Sequence, residues 1–104
     1  MKYKVITLCG SSKFKSEFEK VQLDLTLQGN IVLSLPIFSH NTGQELTNEQ
    51  IFLLSDMHKQ KIDMADEIFI INPKGYIGKN TMEEIEYAKS KNKIIKYLTE
   101  VNSE

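Results

Sequence analysis

Four short apolar runs, each separated by a longer stretch of different period, organise this chain. Val5-Ile6-Thr7-Leu8-Cys9, led by Tyr3, and Glu67-Ile68-Phe69-Ile70-Ile71 show no polar alternation, which predicts strands buried on both faces. Ile31-Val32-Leu33-Ser34-Leu35, closed by Pro36, and Ile94-Ile95-Lys96-Tyr97-Leu98 read as two further strands. Between the first two runs in chain order, Phe14, Phe18, Val21 and Leu25 recur at helical spacing and predict an amphipathic helix from about Lys13 to Leu27. Ser11 or Ser12 is its expected N-cap and Gly29 its expected stop. The period vanishes from Ile37 to Leu46, which predicts a long loop; loops of that length are often functional. Thr47 and Gln50 have capping-box spacing and open a second helix through about Met64, with Ile51, Leu54, Met57 or His58, and Ile62 as its inner stripe. A third helix opens at Thr81, with Met82, Ile85 and Ala88 toward the sheet, and ends at Lys91-Asn92-Lys93. The tail from Thr99 reads as polar and frayed.

The order β-α-β-α-β-α-β predicts an α/β fold, with right-handed crossovers putting helices on both faces of a parallel sheet. The expected architecture is three-layer α/β/α, flavodoxin- or Rossmann-like, with strand order 2-1-3-4. At 104 residues the chain is one domain. In that order the winding reverses between the first and third strands, and ligands of open α/β sheets bind outside the carboxyl ends at such a point. Two glycine loops emerge there, Gly10-Ser11-Ser12 and Asn72 to Asn80.

Each loop has two readings. Gly10-Ser11-Ser12-Lys13 offers N–H groups and two hydroxyls suited to a phosphate or sugar hydroxyl, or is a tight turn with a serine cap. It matches neither a phosphate-binding loop ending in Gly-Lys-Ser/Thr nor the three-glycine dinucleotide fingerprint. In the second loop Gly75, Gly78 and Asn80 allow close backbone approach, and Tyr76 is placed to stack on a base or pack on the surface. Thr81 and Glu84 have capping-box spacing, so Glu84 is a helix-capping carboxylate of low pKa, a carboxylate nucleophile, or both.

Composition removes several classes of partner. A net charge of -1, with hydrophobic content of 40% and charged content of 26%, carries no footprint of nucleic-acid or anionic-membrane binding. All 13 basic residues are lysines, so a phosphate must be held by backbone, hydroxyl, amide or lysine groups rather than a guanidinium fork. Cys9 is the single cysteine; with His40 and His58 it has no metal-ligand spacing, so no cofactor or metal is expected. Cys9 reads as buried and inert, His58 as satisfied structure, His40 as a solvated loop residue and Tyr87 as core or interface. The amino-terminal residues lack a signal-peptide apolar region and no run approaches membrane-spanning length, which makes a cytoplasmic location the expectation.

Asp66-Glu67 before an apolar strand, a glycine loop, Glu84-Ile85-Glu86-Tyr87-Ala88, Lys93 and a terminal strand together resemble the nucleoside 2-deoxyribosyltransferase superfamily. The opening Leu8-Cys9-Gly10-Ser11-Ser12 and its helix fit the same pattern. The resemblance implies a nucleoside or nucleotide as ligand and Glu84 as the nucleophile at the sugar's anomeric carbon. N-glycosidic cleavage would run through a covalent glycosyl-Glu intermediate, followed by transfer to another base or to water. It also implies Asp63 as a substitute for an acid that would fall near His58, the Gly78-Lys79-Asn80 region in place of a second acid, and a homodimer or larger homo-oligomer. Pro73 to Glu84, with Thr81, resembles the loop of nucleoside-monophosphate phosphoribohydrolases more distantly, since those enzymes use an arginine and this chain has none. A non-catalytic nucleotide-binding module is the alternative of a different class.

Overall fold

In the computed structural model, residues 2–36 and 45–100 are described. Strand β1 (Lys4–Gly10) leads to helix α1 (Lys15–Leu27), then β2 (Asn30–Leu33), α2 (Asn48–Met64), β3 (Glu67–Ile71), α3 (Lys79–Ser90) and β4 (Ile94–Tyr97). The four strands form one parallel sheet in the order β2-β1-β3-β4. That is the architecture expected from the sequence.

Alternation along the strands divides the core into two layers. Leu8 and Ile71 point to one face, where Phe18 and Val21 of α1 cover them. Cys9, Ile68 and Ile70 point to the other, where Ile62 of α2 and Ile85 and Ala88 of α3 close over them. Buried apolar side chains of this size each stabilise the fold by roughly 1.5–3 kcal/mol. The sheet is therefore held by α1 on one side and by α2 with α3 on the other.

Polar groups fix the ends of the elements. The Asp66 N–H donates to the Val5 carbonyl (2.8 Å) and its carboxylate accepts from the Val5 N–H (2.8 Å), which extends the β1–β3 pairing by one residue. Buried Glu67 lies 3.4 Å from Lys4 Nζ and 3.7 Å from Lys96 Nζ. Lys93 Nζ donates to the carbonyls of Asp63 (3.0 Å) and Ala65 (2.7 Å), satisfying acceptors at the carboxyl end of α2. The acidic pair and the lysine that carry part of the family resemblance thus have structural work here.

Several local expectations change. Thr47 and Gln50 do form the capping box of α2. Thr81 and Glu84 do not form one: α3 starts two residues earlier, after Gly78, so Thr81 lies inside the first turn and is buried. Neither Ser11 nor Ser12 caps α1, whose N-cap is Phe14; the Ser11 carbonyl accepts the Phe14 N–H instead. Met82 turns to solvent, as do Ile51 and Met57, leaving His58 and Ile62 as the buried stripe of α2. Thr99 is not loose: its N–H donates to Asn72 Oδ1 (2.8 Å) and its carbonyl accepts from Asn72 Nδ2 (3.0 Å). The loop with His40 and Phe38 falls mostly outside the described residues. Among the described residues, no helix is long and apolar enough to cross a membrane.

Candidate functional site

Both glycine loops leave the sheet at the carboxyl ends of β1 and β3, on either side of the reversal in winding. A cavity of about 630 Å³ opens there. Its floor and one wall are Gly10, Ser11 and Ser12; the facing wall is Tyr76, Gly78, Asn80, Thr81 and Glu84; residues of α2, among them His58 and Lys61, form the third side. The amino-terminal turn of α3 borders this space, as does the serine loop that leads into α1. Free N–H groups at such ends favour an anionic ligand group.

Gly10 is where the two walls meet. A β-carbon there would stand 2.8 Å from the Ile71 carbonyl oxygen and 3.0 Å from the Ile71 β-carbon. Only glycine lets β1 run this close to the end of β3 before turning into the serine loop. Across the mouth, Tyr76 is half-exposed, with Lys13 Nζ 3.9 Å from its ring centroid and the Phe14 ring edge-on at 5.7 Å. The tyrosine is thus braced by Lys13 and Phe14 just ahead of α1, which ties the second loop to the first.

At the inner end of the cavity three side chains from three elements converge. Cys9 Sγ of β1 lies 3.4 Å from His58 Nε2 of α2, and that nitrogen lies 3.7 Å from Glu84 Oε1 of α3. Cys9 and His58 are buried, and Glu84 keeps only 22% of its side-chain exposure. Among the described residues, Glu84 Oε1 and His58 Nδ1 are buried with no hydrogen-bond partner. His58 is buried but not satisfied, contrary to the expectation from sequence.

Burial sets the protonation of all three. It pushes Glu84 up from 4.5 to about 7, opposed by the neighbouring Cys9 thiol and reinforced by the charge of Glu83. This reverses the low pKa expected of a capping carboxylate: the Thr81 cap is not made, and the carboxyl has left water without gaining an N–H donor. Burial holds His58 down from 6.5 to about 4, with the charge of Lys61 acting the same way. It also raises the Cys9 thiol well above its ordinary range, with Glu84 adding to the effect. At 3.7 Å and with both shifts opposing charge, His58 and Glu84 are not an ion pair below pH 7. Folding in effect moves a proton from the imidazole to the carboxyl.

That transfer has a measurable sign. Glu84, raised in the folded state, contributes stability that is full below 4.5 and lost as pH climbs through about 7. His58, depressed in the folded state, contributes stability present above 6.5 and lost as pH falls through about 4. Between about pH 4.5 and 6.5 the two slopes are opposite and cancel. In chelator-treated protein, Glu84→Gln is expected to uncover a rise in melting temperature with pH across that window, relative to wild type. Equal slopes for both proteins in thermal melts at several pH values would refute the assignment.

Of the residues singled out from sequence, Gly10, Ser11, Ser12, Tyr76, Gly78, Asn80, Thr81 and Glu84 line one cavity. Asp63 and Gly75 do not line it. The Asp63 carboxylate accepts from the Tyr87 hydroxyl at 2.7 Å on the outer side of α2 and α3, so it cannot stand in for an acid within the cavity. Gly75 sits in a one-turn 3-10 segment, Pro73–Gly75, where its φ of 83° answers a backbone requirement. Linear spacing carries no sign that His58 and Cys9 meet; the signal in the sequence is a histidine on the inner stripe of α2. The three donors Cys9, His58 and Glu84 lie within 4.8 Å of one another, close enough to hold a metal ion between them. No family model and no curated protein matches the sequence.

Proposed function

We propose that the chain binds a nucleoside or nucleotide in this cavity and cleaves its N-glycosidic bond, with Glu84 as the nucleophile at the anomeric carbon. The observation that carries the reading is Glu84 itself: a mostly buried carboxyl in the second turn of α3, with one oxygen that has no partner among the described residues, facing a cavity lined by a glycine–serine loop. A carboxylate in that position can capture an oxocarbenium-like centre from one face of a sugar and later release it to water or another base. Low surrounding polarity strengthens its attraction to positive charge developing on the sugar. The N–H groups and hydroxyls of Ser11 and Ser12 suit the sugar or a 5′-phosphate, and Lys79 at the cavity wall suits the phosphate in the absence of arginine. The test is incubation with deoxynucleosides and with 5′-monophosphates, following free base by chromatography.

The raised pKa of Glu84 favours a second reading, a binding module for a nucleotide-derived ligand. A carboxyl that is half protonated near pH 7 is a hydrogen-bond donor to a ligand as readily as a nucleophile. A nucleotide that raises the melting temperature without loss of its base would decide for the module.

A homodimer is part of the proposal. Ile51, Phe52 and Leu53 in the first turns of α2 are all more than half exposed, with Phe52 at 73%. Such a cluster next to the cavity suits burial against a second copy, whose own loop would then border the same site. Light scattering is expected to give twice the chain mass; a monomer at assay concentration would remove this element.

A further inference from the structure

We propose that Cys9, His58 and Glu84 form a three-ligand site for a zinc-class divalent cation, with its fourth coordination position open to the cavity. The donors come from a strand and two helices packed on it, so their relative positions are set by the core and not by a loop. Tetrahedral zinc with bonds of about 2.3 Å to sulfur and about 2.0 Å to nitrogen or oxygen has donor–donor edges of roughly 3.3–3.6 Å. The sulfur–nitrogen and nitrogen–oxygen separations here are 3.4 and 3.7 Å, and all three donors fall within 4.8 Å. Two of the three donor–donor edges therefore stand near their bound spacing already, and the third, between Cys9 Sγ and the Glu84 carboxylate, closes within 4.8 Å.

The chemistry of the set points to the same class of ion. One sulfur, one imidazole nitrogen and one carboxylate oxygen suit zinc or cobalt, whereas magnesium and calcium take oxygen ligands throughout. A thiolate and a carboxylate supply two negative charges, which neutralise a divalent cation in a buried place. On binding, Cys9 gives its thiol proton to solvent and Glu84 gives up any proton it carries; His58 binds through Nε2 as neutral imidazole. Glu84 Oε1, buried without a partner among the described residues, gains one. Three protein ligands and an open position toward a cavity form the arrangement in which zinc holds a water or an anionic ligand group.

This site does not rest on glycosidic chemistry, and its test does not use base release. The full chain, stripped with chelator and kept reduced, is titrated with Co²⁺ and followed by absorption and by bound metal after desalting. The expected result is one cobalt per chain, a near-ultraviolet thiolate-to-cobalt band and visible absorption of tetrahedral intensity. Cys9→Ser should erase the ultraviolet band, and Cys9→Ser and Glu84→Gln should each weaken binding at least about tenfold. Glu86→Gln, on an exposed position of the same helix, should change neither. Circular dichroism establishes that each variant is folded; if Cys9→Ser is not, the affinity of Glu84→Gln decides. Cobalt bound without a thiolate band in wild type, no bound cobalt, or unchanged affinity in Glu84→Gln would each overturn the site. If base release is also observed, Zn²⁺ should suppress it, because cation and sugar would compete for one carboxylate.

Discussion

Glu84→Gln is expected to lower base release from a nucleoside or nucleotide by roughly a thousandfold or more, the scale on which removal of a nucleophile acts. The substitution keeps the shape of the side chain and removes the group that forms the covalent bond to the sugar. It also removes a carboxyl that burial makes costly to ionise, so above pH 7 the variant should melt at the same temperature as wild type or higher. Loss of activity with retained stability separates a chemical role from a structural one. The attacking form is the carboxylate, so wild-type release should climb as pH rises through about 7 and level off above it. Release from Glu84→Gln at more than about a tenth of the wild-type rate would remove Glu84 as nucleophile.

Gly10→Ala is expected to cost about 2–3 kcal/mol of stability, the largest loss for a methyl added at any glycine among the described residues. The added carbon would meet the Ile71 carbonyl oxygen at 2.8 Å and the Ile71 β-carbon at 3.0 Å, with the Phe18 ring at 3.3 Å behind them. Phe18 has some freedom to give way, but Ile71 is backbone paired in register with Gly10 at the end of β3. Relief therefore means parting β1 from β3 at the point where the cavity begins. For a domain of this size the melting temperature should fall by roughly 10–20 °C. Because Ser11 and Ser12 hang from the same turn, ligand-induced stabilisation should fall with it. A variant melting within about 2 °C of wild type would show that the approach of the two strands is not the reason for glycine here.

How far the sequence foretold this molecule differs by element. The strands β1 and β3 are plain because a strand covered on both faces must be apolar at successive positions, and apolar runs this short, closed by Gly10 and by Asn72-Pro73, do not suit a helix. The capping box of α2 was equally legible, since Thr47 and Gln50 solve each other's hydrogen bonds within four residues. Thr81 and Glu84 carry the same spacing with the opposite outcome. There the helix gains two further residues by starting after Gly78, and burial of Thr81, Ile85 and Ala88 against the core outweighs a cap worth about 1 kcal/mol. Asp63 departs from its expected place for a related reason: a position near His58 in sequence lies on a different side of α2, where Tyr87 takes the Asp63 carboxylate.

The sequence by itself determined the order of elements, the parallel sheet with its 2-1-3-4 arrangement, and the end of the sheet at which two glycine loops meet. These follow from needs each segment meets locally: period, turn chemistry and right-handed crossover. Only the tertiary structure decided which polar side chains share the cavity's inner end. Cys9, His58 and Glu84 belong to three elements, and their meeting depends on how α2 and α3 are rotated and set on the sheet. That setting is fixed by the packing of Ile62, Ile85 and Ala88 over β1 and β3, and packing between elements leaves no periodic mark in a chain.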